Sequence, residues 1–224
     1  MKNLFMTVVG LIAINSQAQV EKDMGTFSDL KTTNRIKVEL IQGSEEKIVL
    51  ETKDEKDVSL TNKNGKLIIK NNIKELVSDS DYKIVVKVYF KELKNISAES
   101  GSYIVSNKKI DANSLKISSN SGSQVNLKLK VTTLEAKVFA GANITLEGSG
   151  TTGTLIGTAG GVIDASKLVF NDATATVNAG GKIEVNASNT VNATTRAGGY
   201  VNIYGNPKTV TEKSTAGGTI KRVK

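Results

Sequence analysis

The chain has no cysteine, no histidine, no tryptophan and a single proline in 224 residues. Without thiols or imidazoles, disulfide stapling, most zinc and haem ligation, thiol nucleophiles and the Ser-His-Asp mechanism are all closed to it. Any catalysis would have to come from carboxylates, Lys, Arg, Tyr, Ser or Thr. Aromatic residues make up 4 % of the chain, so its core has to be aliphatic. Past the N-terminus no apolar stretch approaches the roughly 20 residues of a membrane-crossing helix, and no transmembrane anchor is expected. Basic residues exceed acidic ones by 8. The two signs interleave through the first half of the chain, the pattern of a mixed solvated surface rather than a nucleic-acid footprint, and no nucleic-acid partner is expected.

The first segment, MKNLFMTVVGLIAINSQAQ, puts a lysine before an apolar run from Leu4 to Ile14 and ends it at Ser16 and Ala18. Small residues at these two positions mark a signal-peptidase site, so residues 1–18 are expected to be a secretory signal. The protein is then exported and stable without disulfides.

The second half of the chain returns again and again to a glycine turn followed by Ile or Val. ESGSYI, NSGSQV and FAGANI are succeeded by Ala-Gly-Gly forms, with leading glycines Gly101, Gly122, Gly141, Gly160, Gly180, Gly198 and Gly217. Their spacings are 21, 19, 19, 20, 18 and 19 residues. Self-similarity at about 20 residues marks a solenoid whose units bury their apolar faces only by stacking. Between the turns apolar and polar residues alternate, as in NLKLKV and GKIEVNA, with Thr, Val and Ile dominant, which is the pattern of strands. The expectation is an all-β parallel β-helix over residues 93–224, about 35 Å long at one strand spacing per coil. Glycine supplies positive φ at each corner, and the small residue beside it is expected to leave room for the corner stacked above. Ile104, Val125, Ile144, Ile163, Ile183, Val201 and Ile220 should form one aliphatic ladder.

Residues 19–92 are denser in charge and carry strand runs RIKVELIQ, KIVLET, KLIIKN and KIVVKVYF, with Asn64-Gly65 as a hairpin turn. This region is expected to be an antiparallel or irregular β layer capping the first coil, because a bare solenoid end is an open edge. At the other end the basic run IKRVK should discourage edge pairing.

Taken together, FSDLKTTNRIKVELIQG, the KLIIKN strand and KIVVKVYFKELKNISAESGSYI leading into glycine-turn repeats resemble the head GIN domain family of auto-transporter adhesins, common in Bacteroidetes. The resemblance runs from about Phe27 to Lys224. It implies a right-handed β-helix, an adhesin-like role, and a place in the periplasm or on the surface of a Gram-negative bacterium. The chain shows neither a heptad stalk nor a set of membrane strands, and the family brings no catalytic residues.

Parallel β-helices also include polysaccharide lyases and hydrolases that work with paired carboxylates in loop-walled grooves. Asp164, Asp172, Glu184 and Arg196 are the charges such a site would draw on here, but the coils are too short to wall a cleft. SDSDY at 78–82 could offer Asp79 and Asp81 to calcium, yet it lacks the glycine and the later Glu of an EF-hand loop. GSG at 148–150 and GTAGG at 157–161 precede no helix that could bind phosphate. Tyr103, Tyr200 and Tyr204 are scattered aromatics rather than a platform. No catalytic, metal or cofactor residue is assigned. The expected function is a non-catalytic binding or structural module, with a glycan, a protein or its own sheet faces as partner, and a carbohydrate-active enzyme is the alternative.

Overall fold

The computed structural model describes residues 19–52, 55–72, 82 and 84–223. The signal segment and the Asp79/Asp81 turn lie outside the described residues. The strands are β1 (Gln19–Lys22), β2 (Asp29–Thr33), β3 (Lys37–Gln42), β4 (Lys47–Glu51), β5 (Val58–Lys63), β6 (Lys66–Asn71), β7 (Val85–Phe90) and β8 (Asn95–Ala98). They continue as β9 (Tyr103–Ser119), β10 (Gln124–Val138), β11 (Asn143–Thr158), β12 (Val162–Asn178), β13 (Lys182–Arg196), β14 (Tyr200–Tyr204), β15 (Thr209–Thr215) and β16 (Thr219–Arg222). The only helical piece among the described residues is a 3-10 turn at Glu55–Asp57.

From β9 onward each coil is nearly one long strand that bends partway, and it pairs in parallel with the coils before and after it. The result is a parallel β-solenoid built as two columns of strands. The first column contains the segments just after each glycine corner and ends in β14 and β16; the second contains the later half of each coil and ends in β15.

The N-terminal strands join the same columns out of sequence order. In the first column the spatial order is β1, β4, β7, β3, β9, so β3 is inserted between β7 and β9. In the second column β2 lies between β6 and β8. The β2–β3 coil therefore sits second in the stack, although the chain builds it first. Parallel pairing thus extends through β2, β3, β6 and β7, while the antiparallel strands are β1, β4 and β5, laid over the first coil. Lys63 pairs with Lys66 across a two-residue loop, with Asn64 at φ 54 and Gly65 at φ 75, the type I′ hairpin that Asn-Gly favours.

Register stacks like on like. Ile104, Val125, Ile144, Ile163, Ile183, Val201 and Ile220 are successive partners, and the ladder continues the other way into Val38 and Val86. All are buried except Ile220 on the last coil, which is half-buried. Full burial of each such side chain contributes about 1.5–3 kcal/mol. The facing column is leaner: Ile117, Ala136, Leu155, Ala175 and Ala193 are partners there.

The corners are type I′ turns repeated seven times. Each Ser or Ala before the leading glycine lies at φ 48 to 55, and each leading glycine at φ 67 to 84. The i to i+3 hydrogen bond closes them, as in Gly161 N–H to Thr158 O at 3.1 Å. Corners also bond to each other, for example Gly141 N–H to Ala159 O at 3.2 Å.

Crowding by the stacked coils is absent at the leading Gly160, where a Cβ would meet nothing within 4 Å. It falls one residue later: a Cβ on Gly161 would come 2.8 Å from Val138 Cγ1, because this residue points down into the coil below. In the earlier coils Ser102, Ser123 and Ala142 occupy the same place and are fully buried. The Ser123 hydroxyl lies 2.8 Å from both Ala98 O and Asn120 O, either of which can take its single proton, and accepts from Asn120 N–H at 2.9 Å.

The GSG stretch has a packing role. Gly150 and Gly153 leave the space taken by the fully buried Phe170 ring, which a Cβ on either would approach to 2.7 Å.

Candidate functional site

The second column presents its outward positions as a flat lattice. Along β11, β12 and β13 the partners run Thr154–Thr174–Asn192 and, two residues on, Ile156–Thr176–Thr194. Strand geometry sets the grid at about 4.8 Å between coils and about 6.7 Å along each strand. Within β11, β12 and β13 no charge stands in these two rows, which meet Glu135 and Lys137 on β10 and Lys213 on β15. Around them lie Thr133, Thr152, Thr190 and Thr209 in the row before, interrupted by Asp172, and Thr158, Asn178 and Thr215 in the row after, interrupted by Arg196. The residues alternate with Leu155, Ala175, Ala193 and their neighbours on the core side, so local strand patterning alone places every hydroxyl outward.

Charges border this field, several of them engaged by near neighbours. One coil toward the N-terminus, Glu135 bonds to Lys137 and approaches Lys116 at 3.7 Å. The Lys137 ammonium holds the Glu135 carboxyl below the ordinary value. Arg196 donates to Asn178 Oδ1 at 3.0 Å, and Asp172 accepts from Asn189 Nδ2 at 2.8 Å.

The carboxylates a β-helix enzyme would need are divided between faces. Asp164 and Glu184 are register partners on the first column, whereas Asp172 belongs to the second. Asp164 accepts from Ser166 N–H at 3.0 Å and from its hydroxyl at 2.6 Å. Glu184 pairs with Lys182 at 2.7 Å, a hydrogen bond that raises the Lys182 ammonium above its ordinary value. Both carboxylates are thus engaged by their own neighbours on an open sheet. Among the described residues no group of three or more carboxylates could hold a metal ion, and no helix is long and apolar enough to cross a membrane.

The tyrosines do not converge. Tyr103 stacks on Tyr82 with ring centroids 5.7 Å apart and accepts from Asn126 Nδ2 at 3.0 Å. Burial raises the Tyr82 phenol, which donates to Gly101 O at 3.1 Å. Tyr200, 55 % exposed, stands on another coil between Lys182 and Thr219.

A polar groove of about 600 Å³ runs past the bend of β9, β10 and β11, lined by Gln42, Asp111, Lys130 and Ser149 among others. Gln42 does structural work in it. Its amide donates to Asp111 O at 2.9 Å and accepts from Asp111 N–H at 2.8 Å, standing in for a peptide group where β3 has ended.

Periodicity makes the Thr and Asn lattice legible in the sequence, in TGT at 152–154, TAT at 174–176 and NAT at 192–194. That charges withdraw from its two central rows is visible only once register is known.

Comparison with known proteins agrees with the architecture. A crystal structure of a "putative adhesin" from Bacteroides fragilis superposes with a TM-score of 0.83 at 18 % identity, covering 94 % of this chain and 98 % of that one. A "putative adhesin" from Parabacteroides merdae gives 0.70 at 19 % identity over 92 % and 96 %. A "putative lipid binding protein" from Parabacteroides distasonis gives 0.71 at 16 % identity over the same shares. At such identities the likeness is one of fold. No curated protein matches the chain. The family model described as "Putative auto-transporter adhesin, head GIN domain" matches residues 26–207, and the chain belongs to that family.

Proposed function

We infer that the protein is an exported, non-catalytic adhesion module whose contact surface is the Thr and Asn field on the second column. The observation that carries this reading is the field itself: two adjacent rows over three coils without a charge, flat, with no loop rising between them. Threonine there offers a hydroxyl and a methyl on the same stiff side chain, so a partner can meet donors, acceptors and apolar patches without ordering long side chains. A surface of this kind suits a broad, planar partner such as a glycan chain or a protein face, and suits poorly the enclosure of a small substrate. Each hydrogen bond gained nets only about 0.5–1.5 kcal/mol, so a single site binds weakly and display of many copies supplies avidity. Family membership supports the adhesive role. The residue pattern at 1–18 supports export, to the periplasm or the cell surface.

The test is binding of the purified exported protein to glycan arrays and to immobilised host-type surfaces, repeated with Thr154→Lys, Thr174→Lys and Asn192→Lys. These outward changes leave the core ladders untouched. Loss of binding in all three, with retention in a first-column control such as Thr145→Lys, is the expected result. Equal binding by wild type and the three field variants would remove the field from the reading.

A further inference from the structure

The last coil breaks the rule that core-facing positions are apolar. In β15, Glu212 is the register partner of Ala193, which follows Ala175 and Leu155 in one ladder. In β16, Arg222 is the partner of Ile203, which follows Val185. These five partners are all buried. Residues in register on parallel strands share a face, so Glu212 and Arg222 both point over the mouth of the core, from opposite columns. Their side chains meet there: Arg222 Nε donates to Glu212 Oε1 at 2.8 Å. Beside the pair is a cavity of about 640 Å³ lined by Ile203, Pro207, Val210, Val223 and Arg222, the unfilled end of the aliphatic interior.

We propose that Glu212 and Arg222 form a charged lid over a latent self-association surface on the last coil, and that the partner it excludes is a second copy of this chain. Among the described residues β15 pairs only with β13, and β16 only with β14, so each has an outer edge of unpaired backbone groups. Two such ends are self-complementary: strands of equal length face each other, and Val210 and Ile220 would continue their ladders across the joint. Inward-pointing charges on an end coil oppose that pairing, because a docked copy would strip water from four ions at once. The pair is too exposed to contribute much to stability, with side chains 63 % and 35 % accessible. Its effect lies in what it keeps away. At the opposite end the antiparallel strands β1, β4 and β5 overlie the first coil.

The experiment compares wild type with Glu212→Val/Arg222→Ile, which continues both ladders in apolar form, and with the swapped pair Glu212→Arg/Arg222→Glu, which keeps the lid. Sedimentation and amide exchange are measured on the exported protein from micromolar to near-millimolar concentration. Wild type and the swap are expected to stay at the mass of one chain. The apolar variant is expected to double its mass, with added amide protection confined to β15 and β16. If the double variant does not fold, Glu212→Val alone, which leaves β16 unchanged, has to associate more than wild type. A folded variant that stays monomeric overturns the proposal, as does wild type that associates with protection gained at β15 and β16.

Discussion

Replacing Gly199 by alanine separates the two tasks that glycine performs at a corner. Gly198 lies at φ 84 with nothing within 4 Å of where a Cβ would stand, whereas a Cβ on Gly199 would come 2.3 Å from Val177 Cγ1 and 2.8 Å from Val177 Cβ. Gly198→Ala therefore meets only the left-handed backbone penalty, about 1–2 kcal/mol. Gly199→Ala has to displace a β-branched side chain that is stiff about χ1 and fully buried, an overpacking cost of about 1–3 kcal/mol. The two ranges overlap, so the discriminating quantity is coupling to Val177. Val177→Ala alone opens a void and costs about 2 kcal/mol. In the Gly199→Ala background the new methyl occupies part of that void, which relieves the approach to Cγ1 though not that to Cβ, and the double variant should exceed the sum of the singles in stability by about 1 kcal/mol. Gly198→Ala and Val177→Ala should instead add to within about 0.5 kcal/mol. Urea and thermal unfolding followed by circular dichroism read this directly, since 1 kcal/mol moves the midpoint of a chain of this size by about 2–4 °C. Additivity of Gly199→Ala with Val177→Ala, or equal coupling at Gly198, would refute the assignment of the second glycine to coil stacking.

Three further outcomes are expected. Phe170→Ala should cost about 3–5 kcal/mol, and Gly153→Ala, destabilising in wild type, should become nearly neutral beside it because the ring that crowds it is gone; chemical denaturation checks both. Ser123→Ala should cost about 1–3 kcal/mol in the same assay, since its fully buried hydroxyl accepts from Asn120 N–H of its own turn and can donate to Ala98 O of the coil before. Lys182 should titrate above the ordinary 10.5, and Glu184→Gln should return it toward that value in an NMR titration. Because the shift is upward, the small stabilisation from this pair is complete below the unfolded value and is lost as pH rises through the folded one.

The repeat made the solenoid legible because a coil has to place like residues at like positions: seven glycine corners gave its period, and the Ile and Val following them gave the ladder. Threading was not legible in that way. β3 and β7 both read as alternating strands, and nothing local to either says that β3 docks between β7 and β9, since that order depends on which edge is free when the coils close. The corner was half legible. Positive φ follows from glycine chemistry, but the left-handed Ala before it and the steric need for Gly161, Gly181 and Gly199 depend on what lies in the coil beneath. The Glu212–Arg222 contact was hidden for the same reason, because ten residues separate the two in sequence and only register shows that they occupy core positions.

The central claim is that this solenoid engages a surface and does not turn over a substrate. The most direct measurement incubates the purified protein with pectic, alginate and host-type glycans, with and without calcium, and follows new reducing ends and unsaturated products alongside retention on the same glycans. The account predicts no products above the protein-free control, and any retention falling when Thr154, Thr174 or Asn192 is replaced by lysine. Reproducible turnover that disappears in Asp164→Asn or Glu184→Gln would contradict it and establish the first column as a catalytic face.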